Sequence, residues 1–527
     1  MSDENTVIAK PGNSVSRASG DNFTIVIPSP RCFVDSHSHI ENGACAPLPL
    51  IWGKTDPAPH FQRKWIDRLA KIIMSSTGHL QVKSTTEIGN SAVAAIDDTF
   101  GLKSEIGQSD LYKNSDLFTL LVIQMMDMEY SHIAGFEGQT IYHEDETPWY
   151  YYKRQSGSVP ENKGEKIPLP GENEKTFSVW KKQLDETITA IKSNPFRLIG
   201  MYHYDPRRWN WPQTQKYDNL RITGPWNKPF DQIATKTKKG LFIGFKMYPS
   251  LGYKPLDERL PYMHSLKEGD CFYGRCMREA IPILVHCSPG GMTSHELPYY
   301  REFDAGKTSR SSATRDSTAP VDATTASPDS SKVAEHHFYE NYVHPAAWRK
   351  VLKQFPNLKL CLAHFGGDLF PSGSHSDWVK EIIDLANEFP NVYTDVSCWK
   401  FDQCKEMFNT ILLEKKYDYL KDRILFGTDW YMTLPALHGK SYQAYCGEFY
   451  EFFNSIPGGR DLWIRFTFLN PFEFYGFNDK TIRDNLSGAL EDLNANNKIL
   501  KRNLASFNLV QKEYENQRKR LEKYKKA

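Results

Sequence analysis

The feature that most constrains the fold of this chain is a series of eight short apolar runs. The runs are continuous rather than alternating, which is typical of parallel strands covered on both faces. They cover residues 32–35, 118–126, 196–202, 241–248, 281–285, 358–363, 392–396 and 424–427. The segments between them carry helical periodicity; Trp348, Val351, Leu352 and Phe355 follow an i, i+3, i+4, i+7 spacing. Eight strand–helix units predict an α/β fold, a closed (β/α)8 TIM barrel with insertions.

The runs use only part of the 527 residues. Residues 1–22 are polar and aperiodic and are expected to form a flexible leader, followed by one barrel over residues 23–477. Residues 40–117 and 130–180 are too long for simple crossovers, and residues 306–332 form a low-complexity loop that is expected to be disordered. In residues 478–527 apolar residues recur every seven positions, which predicts a C-terminal amphipathic helix or a weak coiled coil.

The composition excludes several classes of protein. The 65 basic and 64 acidic residues nearly cancel, so no overall field favours nucleic acid or an anionic membrane. An aromatic content of 13% is enough for a large core, which excludes a wholly disordered chain. The sequence has no run of 18 apolar residues and no signal pattern, and its nine cysteines are an odd number. We therefore expect a cytoplasmic protein with reduced thiols.

The C-terminal segment differs in charge from the rest. From Lys498 onward it holds ten basic and three acidic residues. A basic end could contact an acidic partner, but the favoured interpretation is a solvated helix face whose other side packs on the barrel or on a second subunit. A small-molecule substrate and a homo-oligomer are the other expectations about partners.

Histidines and an aspartate follow four of the predicted strands. His37 and His39 follow the first run, and because alternate side chains of a strand share a face, they point to the same side. His286, His364 and Asp429 follow the fifth, sixth and eighth runs. The carboxyl ends of TIM-barrel strands form one rim, where active sites assemble. Imidazoles and a carboxylate that converge there predict a divalent metal site.

The order of the motifs resembles the amidohydrolase superfamily, specifically the branch of aminocarboxymuconate-semialdehyde decarboxylase and related decarboxylases and hydrolases. The matching segments span residues 31–477 and read VDSHSH, GFKMYP, ILVHCSPGG, HPAAWRKVLKQFPNLKLCLAHFGG, YTDVS, ILFGTDW and LNPFEFYGF. The resemblance implies that His37, His39, His286 and Asp429 bind the ion. Zinc is the expected ion, and Mn2+, Co2+ or Fe2+ would suit the same ligands. His364 would be the catalytic histidine or a ligand of a second metal.

The resemblance also implies how the residues act. A bound zinc ion lowers the pKa of water to about 7. Asp429 would be both a ligand and the general acid/base. Lys246 would be either a carboxylated bridge between two metals or an unmodified cation that anchors a substrate carboxylate, and the second is favoured. Asp395 is expected to orient a metal-binding histidine by accepting its other N–H.

Three more residues near the strand ends are candidates for substrate binding. His203 could face the pocket or pack. Arg207 could grip a carboxylate or form a structural ion pair. Trp430 could stack on a planar substrate or pack on the rim.

The predicted function is a metal-dependent hydrolase that uses a metal-activated water to cleave an amide, ester or lactone of a small molecule. The alternative is a metal-dependent, non-oxidative decarboxylase of a carboxylated aromatic or muconate-like substrate, with much the same residues. A third hypothesis is a partner-binding effector or scaffold that uses the insertions and the C-terminal helix. The complete set of metal-ligand residues disfavours this third hypothesis.

Overall fold

Eight parallel strands form the centre of the molecule. The computed structural model of the chain describes residues 32–40, 89–90, 92–95, 118–126, 151–152, 166–167, 174–209, 226–257, 260–265, 270–288, 342–367, 377–399, 401–411, 414–430, 441–493 and 497–526. The strands are β1 Cys32–Ser38, β2 Phe118–Gln124, β3 Leu198–His203, β4 Phe242–Met247, β5 Ile283–Val285, β6 Leu360–Leu362, β7 Val392–Asp395 and β8 Ile424–Leu425. Each lies within its predicted run, except that β1 continues through Ser38 and β3 through His203.

The strands close into a barrel. Each strand pairs in parallel with the next one along the chain. Beyond β8, Trp430 forms a parallel bridge to Ser38 at the end of β1. The backbone N–H of Ser36 donates to the carbonyl of Phe426 at 2.9 Å, so β8 and β1 meet in a seam. This closure confirms the predicted (β/α)8 barrel.

Helices separate the strands. They are α1 Glu174–Ser193, α2 Pro206–Trp209, α3 Phe272–Glu279, α4 Ala346–Gln354, α5 Asp377–Glu388, α6 Phe401–Ile411, α7 Tyr442–Ser455, α8 Gly459–Ile464, α9 Asn470–Phe474, α10 Lys480–Asp492 and α11 Asn497–Lys526. From β2 to β8, one of the helices α1–α6 lies between each pair of successive strands. In α4 the side chains of Trp348, Val351 and Leu352 are buried, which confirms the predicted periodicity.

Shorter elements complete the described part of the chain. Short helical segments cover Lys228–Gln232, Pro249–Leu251, Pro261–Met263, Ala363–Gly366, Lys415–Asp422 and Arg465–Leu469. A two-residue antiparallel pair, Tyr151–Tyr152 with Lys166–Ile167, falls in the predicted insertion over residues 130–180. Residues 1–22 and 306–332, and most of both long insertions, lie outside the described residues. No described helix is long and apolar enough to cross a membrane.

The C-terminal segment forms two helices, α10 and α11, rather than one. The residues at seven-residue spacing in α11 are buried: Leu500, Phe507, Tyr514 and Leu521. The Phe507 ring lies 5.5 Å from Phe118 and 5.3 Å from Phe196, at the amino ends of β2 and β3. Helix α11 therefore covers the end of the barrel opposite the rim.

Part of the basic charge of α11 is paired with this end of the barrel. The Arg518 guanidinium binds the Glu473 carboxylate and lies 4.0 Å from Asp422. Arg520 lies 3.5 Å from Asp461. These contacts favour the interpretation of α11 as a helix packed on its own barrel. The domain boundaries given above stay predictions.

Candidate metal centre

Three predicted ligands converge at the seam between β1 and β8. The Asp429 Oδ1 atom lies 3.1 Å from Nε2 of His39 and 3.5 Å from Nε2 of His37. One ligand atom from each of the three residues lies within 4.8 Å of the others, and all three residues are buried. The strand spacing explains the geometry, because His37 and His39 are two positions apart and share a face.

The other ring nitrogens of both histidines bind acceptors. His37 Nδ1 donates to Asp395 Oδ2 at 3.0 Å, and His39 Nδ1 donates to the carbonyl of Gln124 at 3.1 Å. The Nε2 atom of each ring is therefore left to face Asp429. Metal-binding histidines have this arrangement, in which a carboxylate or carbonyl orients the ring from behind. Asp395 thus makes the contact predicted for it, and its role in orienting a metal ligand stays a prediction.

The charge states also suit a cation. Burial, together with the nearby Lys246, lowers the pKa of His37 to about 3, so its imidazole is neutral at pH 7. Burial alone would raise the pKa of Asp429, but the proximity of His39 and His37 holds it below its usual range. The neutral imidazole of His37 and the ionised carboxylate of Asp429, with His39 beside them, fit a divalent metal ion.

The backbone at Asp429 is in the left-handed conformation, with φ of 58°. This conformation costs a residue other than glycine about 1 kcal/mol. The Asp429 N–H donates to the carbonyl of His37 at 2.7 Å, which ties the turn to β1. Gly427 precedes this turn and has no room for a side chain. A Cβ at this position would lie 2.7 Å from the Cβ of His37, which is too close.

A buried carboxylate, Asp35, joins both strands of the seam. Its Oδ1 accepts from the backbone N–H groups of His37 at 3.2 Å and Thr428 at 3.0 Å. Its Oδ2 accepts from the hydroxyls of Thr428 at 2.6 Å and Tyr442 at 3.1 Å. Burial raises the pKa of Asp35 to about 6, so it is ionised at pH 8. Neither this network nor Tyr442 was predicted from the sequence.

We expect Tyr442→Phe to lower the free energy of unfolding by about 1.5–3 kcal/mol at pH 8, because its hydroxyl donates to an ionised carboxylate. Tyr273→Phe is the matched control. Tyr273 is equally buried but donates to the neutral carbonyl of Pro255, so we expect a loss of about 1 kcal/mol. Urea denaturation measures both values. Equal losses in the two variants would contradict a charged acceptor at position 35.

A second group of ligand atoms, from His37, His364 and Asp395, surrounds a hydroxyl. Ser397 Oγ lies 3.0 Å from Nδ1 of His37, 3.0 Å from Nδ1 of His364 and 2.5 Å from Asp395 Oδ1. The Ser397 hydroxyl therefore fills the space among these three side chains and links them by hydrogen bonds. We accordingly assign the metal position to His37, His39 and Asp429. Ser397 was not predicted from the sequence. Its position two residues after Asp395 in the YTDVS motif, on the same face of the extended chain, is the signal that could have identified it.

His286 and His364 contact each other. His286 Nδ1 lies 3.0 Å from His364 Nε2, and the His286 ring stacks on Tyr248 at 5.2 Å. His364 has a φ of 64° and is held by its N–H bond to Asp395 Oδ1 at 3.0 Å. Among the described residues, His286 belongs to neither group of converging ligand atoms. Its role as a ligand stays a prediction.

The side chain of Lys246 is fully buried in the site. Its Nζ atom lies 3.1 Å from His37 Nε2 and 4.6 Å from the centre of the Tyr248 ring. The structure thus brings Lys246 to the predicted ligands. Its role, as an anchor for substrate or as a carboxylated bridge, stays a prediction.

The three predicted substrate-binding residues have different surroundings. The buried His203 stacks on Tyr248 at 5.8 Å, so it lines the same aromatic wall as His286. The half-buried Trp430 meets Tyr442 edge to face at 5.4 Å. The side chain of Arg207 lies outside the described part of the molecule.

One family of known proteins matches part of the chain. Residues 216–449, which include β4 to β8, match the amidohydrolase family. This part of the chain belongs to the amidohydrolase superfamily. The resemblance inferred from the motifs is confirmed, and the amidohydrolase match spans His286, His364 and Asp429. No curated protein matches this chain.

Solved structures resemble this chain only weakly. A probable 2-pyrone-4,6-dicarboxylic acid hydrolase from Acinetobacter baumannii is 11% identical, with a TM-score of 0.37 over 84% of this chain and 99% of the other. A 5-carboxyvanillate decarboxylase from Novosphingobium aromaticivorans, complexed with manganese, is 11% identical, with a TM-score of 0.34 over 86% and 97%. An uncharacterized TIM-barrel protein from Bordetella bronchiseptica is 13% identical, with a TM-score of 0.35 over 84% and 99%. The assignment of the (β/α)8 barrel rests instead on the strand order and the seam.

Proposed function

We propose that this amidohydrolase is a metal-dependent hydrolase that cleaves an amide, ester or lactone of a small molecule. The observation that carries the proposal is the position of the Asp429 carboxylate. It lies against the Nε2 atoms of His37 and His39, and 11% of its side chain remains exposed. A carboxylate placed in this way can contact both an ion and a water molecule.

The ligands of the ion would be His37, His39 and Asp429, with His286 as the fourth. Zinc is the proposed ion, since imidazole nitrogen and carboxylate oxygen are its common protein ligands. A divalent ion held there supplies a Lewis acid that polarises the substrate and lowers the pKa of water.

The residues of the chain supply the proton transfers. Asp429 is ionised at neutral pH because its pKa is held below the usual range, so it can accept the proton of the attacking water. The same carboxylate then returns the proton to the leaving group. His364 is placed by Asp395 and Ser397 to polarise a substrate oxygen.

Lys246 suggests an acidic substrate. A buried ammonium group next to the ligands would pair with a substrate carboxylate, and burial strengthens such a pair. A decarboxylase also needs a carboxylated substrate, so this cation is the observation that favours the second candidate, a non-oxidative decarboxylase. We also propose that the partners are limited to this small molecule and a second copy of the chain.

Metal removal and isotope labelling test the proposal. We expect zinc to co-purify with the protein, and dialysis against a chelator to abolish hydrolysis of a panel of small esters, amides and lactones. Added Zn2+ should restore it. Turnover in H2(18)O should place one labelled oxygen in the product, as detected by mass spectrometry. Release of CO2 from aromatic acids without incorporation of label would contradict hydrolysis and support the decarboxylase.

A further inference from the structure

The hydroxyl of Thr428 bonds on both sides of the turn that holds Asp429. Thr428 is fully buried at the end of β8, directly before Asp429. Its Oγ1 donates to Asp35 Oδ2 at 2.6 Å and accepts from the backbone N–H of Trp430 at 3.0 Å. The hydroxyl therefore forms one hydrogen bond with Trp430, the residue after Asp429, and one with the Asp35 carboxylate of β1.

The direction of these bonds is fixed by the groups involved. The Asp35 carboxylate accepts, so the single hydroxyl proton points to it, and the oxygen lone pair is left for the Trp430 N–H. The backbone N–H of Thr428 also donates to Asp35, at 3.0 Å. Two hydrogen bonds to the Asp35 carboxylate thus hold Thr428 to β1, while its side chain closes a short ring around Asp429.

This ring lies where the backbone is strained. Asp429 has a φ of 58°, a conformation that few residues other than glycine adopt. Without the bond from the Trp430 N–H to Thr428, the turn would lose a contact that keeps Asp429 in this conformation. The direction of the Asp429 side chain depends on its φ and ψ, so relaxation of the turn would move Oδ1 away from the two histidines.

We propose that Thr428 is a positioning residue for Asp429, and that its hydroxyl holds the left-handed turn that directs this carboxylate to Nε2 of His37 and His39. The inference rests on the proposed metal centre, but not on the identity of the reaction. A threonine or serine can perform this role because either has a hydroxyl that donates and accepts at once. Valine has the same shape as threonine and can do neither.

The experiment measures zinc affinity in the full-length protein without substrate, by competition with a chromophoric chelator. We expect Thr428→Val to raise the Kd for zinc by about tenfold to a hundredfold, which is the usual effect of removing a group that orients a ligand. Thr428→Ser should keep an affinity close to that of the wild type. A crystal structure of Thr428→Val should show Asp429 outside the left-handed region.

Thr394→Val is the matched control. Thr394 is also buried, on β7, and its hydroxyl donates to the carbonyl of Leu362 at 2.6 Å without contacting the ligands. It should lower the melting temperature but leave the Kd unchanged. If Thr428→Val does not fold, Thr428→Ala removes the same hydroxyl without adding a methyl group, and the same weakening is expected.

Two results would overturn the proposal. One is a Kd for zinc of Thr428→Val, or of Thr428→Ala where that variant replaces it, that equals the Kd of Thr394→Val. The other is a Thr428→Ser variant that binds zinc as weakly as Thr428→Val. Because no substrate is used, absence of hydrolysis in the wild type would contradict the proposed function and leave this inference standing.

Discussion

Replacing Asp429 with alanine is expected to reduce turnover by about 10³-fold or more and to remove most of the bound zinc. The carboxylate contacts the Nε2 atoms of both His37 and His39, so its loss leaves only the two imidazoles of this group to hold a divalent cation. It is also the proposed proton acceptor, and loss of a general base alone costs about 10²–10⁴-fold in rate. Metal analysis of the purified variant and its kcat/KM measure the two effects.

Asp429→Asn separates the two roles. Asparagine keeps an oxygen that can face the ion but is a poor proton acceptor, so part of the zinc should remain while activity is lost. Asp257→Ala is the control, because this carboxylate is also buried but lies in the loop after β4. It should keep its metal. An Asp429→Ala protein with full zinc content and full activity would refute the assignment.

Removal of α11, by ending the chain at residue 493, is expected to prevent stable folding. The helix buries Leu500, Phe507, Tyr514 and Leu521 against the closed end of the barrel. Replacing Phe507 alone with alanine should cost about 3–5 kcal/mol, against a total stability of about 5–15 kcal/mol for a typical domain. Thermal denaturation followed by circular dichroism compares the truncated and full-length chains.

Leu509→Ala is the matched control for Phe507→Ala. Leu509 lies on the same helix, two positions further on, but 66% of its side chain is exposed. Its replacement should change stability by less than about 0.5 kcal/mol. A truncated chain that melts at the wild-type temperature would show that α11 adds nothing to the stability of the barrel.

The sequence was sufficient to predict the barrel and most of its rim. Strands buried on both faces must be apolar throughout, so their positions can be read as continuous runs. His37, His39 and Asp429 were predictable as neighbours because parallel strands end at the same rim. The role of Asp395 followed from the way that metal-binding histidines are oriented.

The remaining features depend on contacts that no local pattern reveals. Thr428 and Asp35 are 393 positions apart, and their bond follows only from closure of the barrel. The contact between His286 and His364 depends on side-chain rotamers. The seven-residue spacing in α11 suits a coiled coil as well as a helix on a barrel, and only the assembled amino ends of β2 and β3 distinguish the two.

The seam also has a consequence for how the protein folds. Two of the three converging ligands, His37 and His39, come from the first strand, and Asp429 comes from the last turn of the barrel. Closing a loop of this length is slow, and such distant pairing forms late in folding. The metal site therefore cannot exist in a nascent or half-folded chain. Zinc uptake during refolding should follow, rather than precede, the joining of the two ends of the sheet, and would report that the barrel is complete.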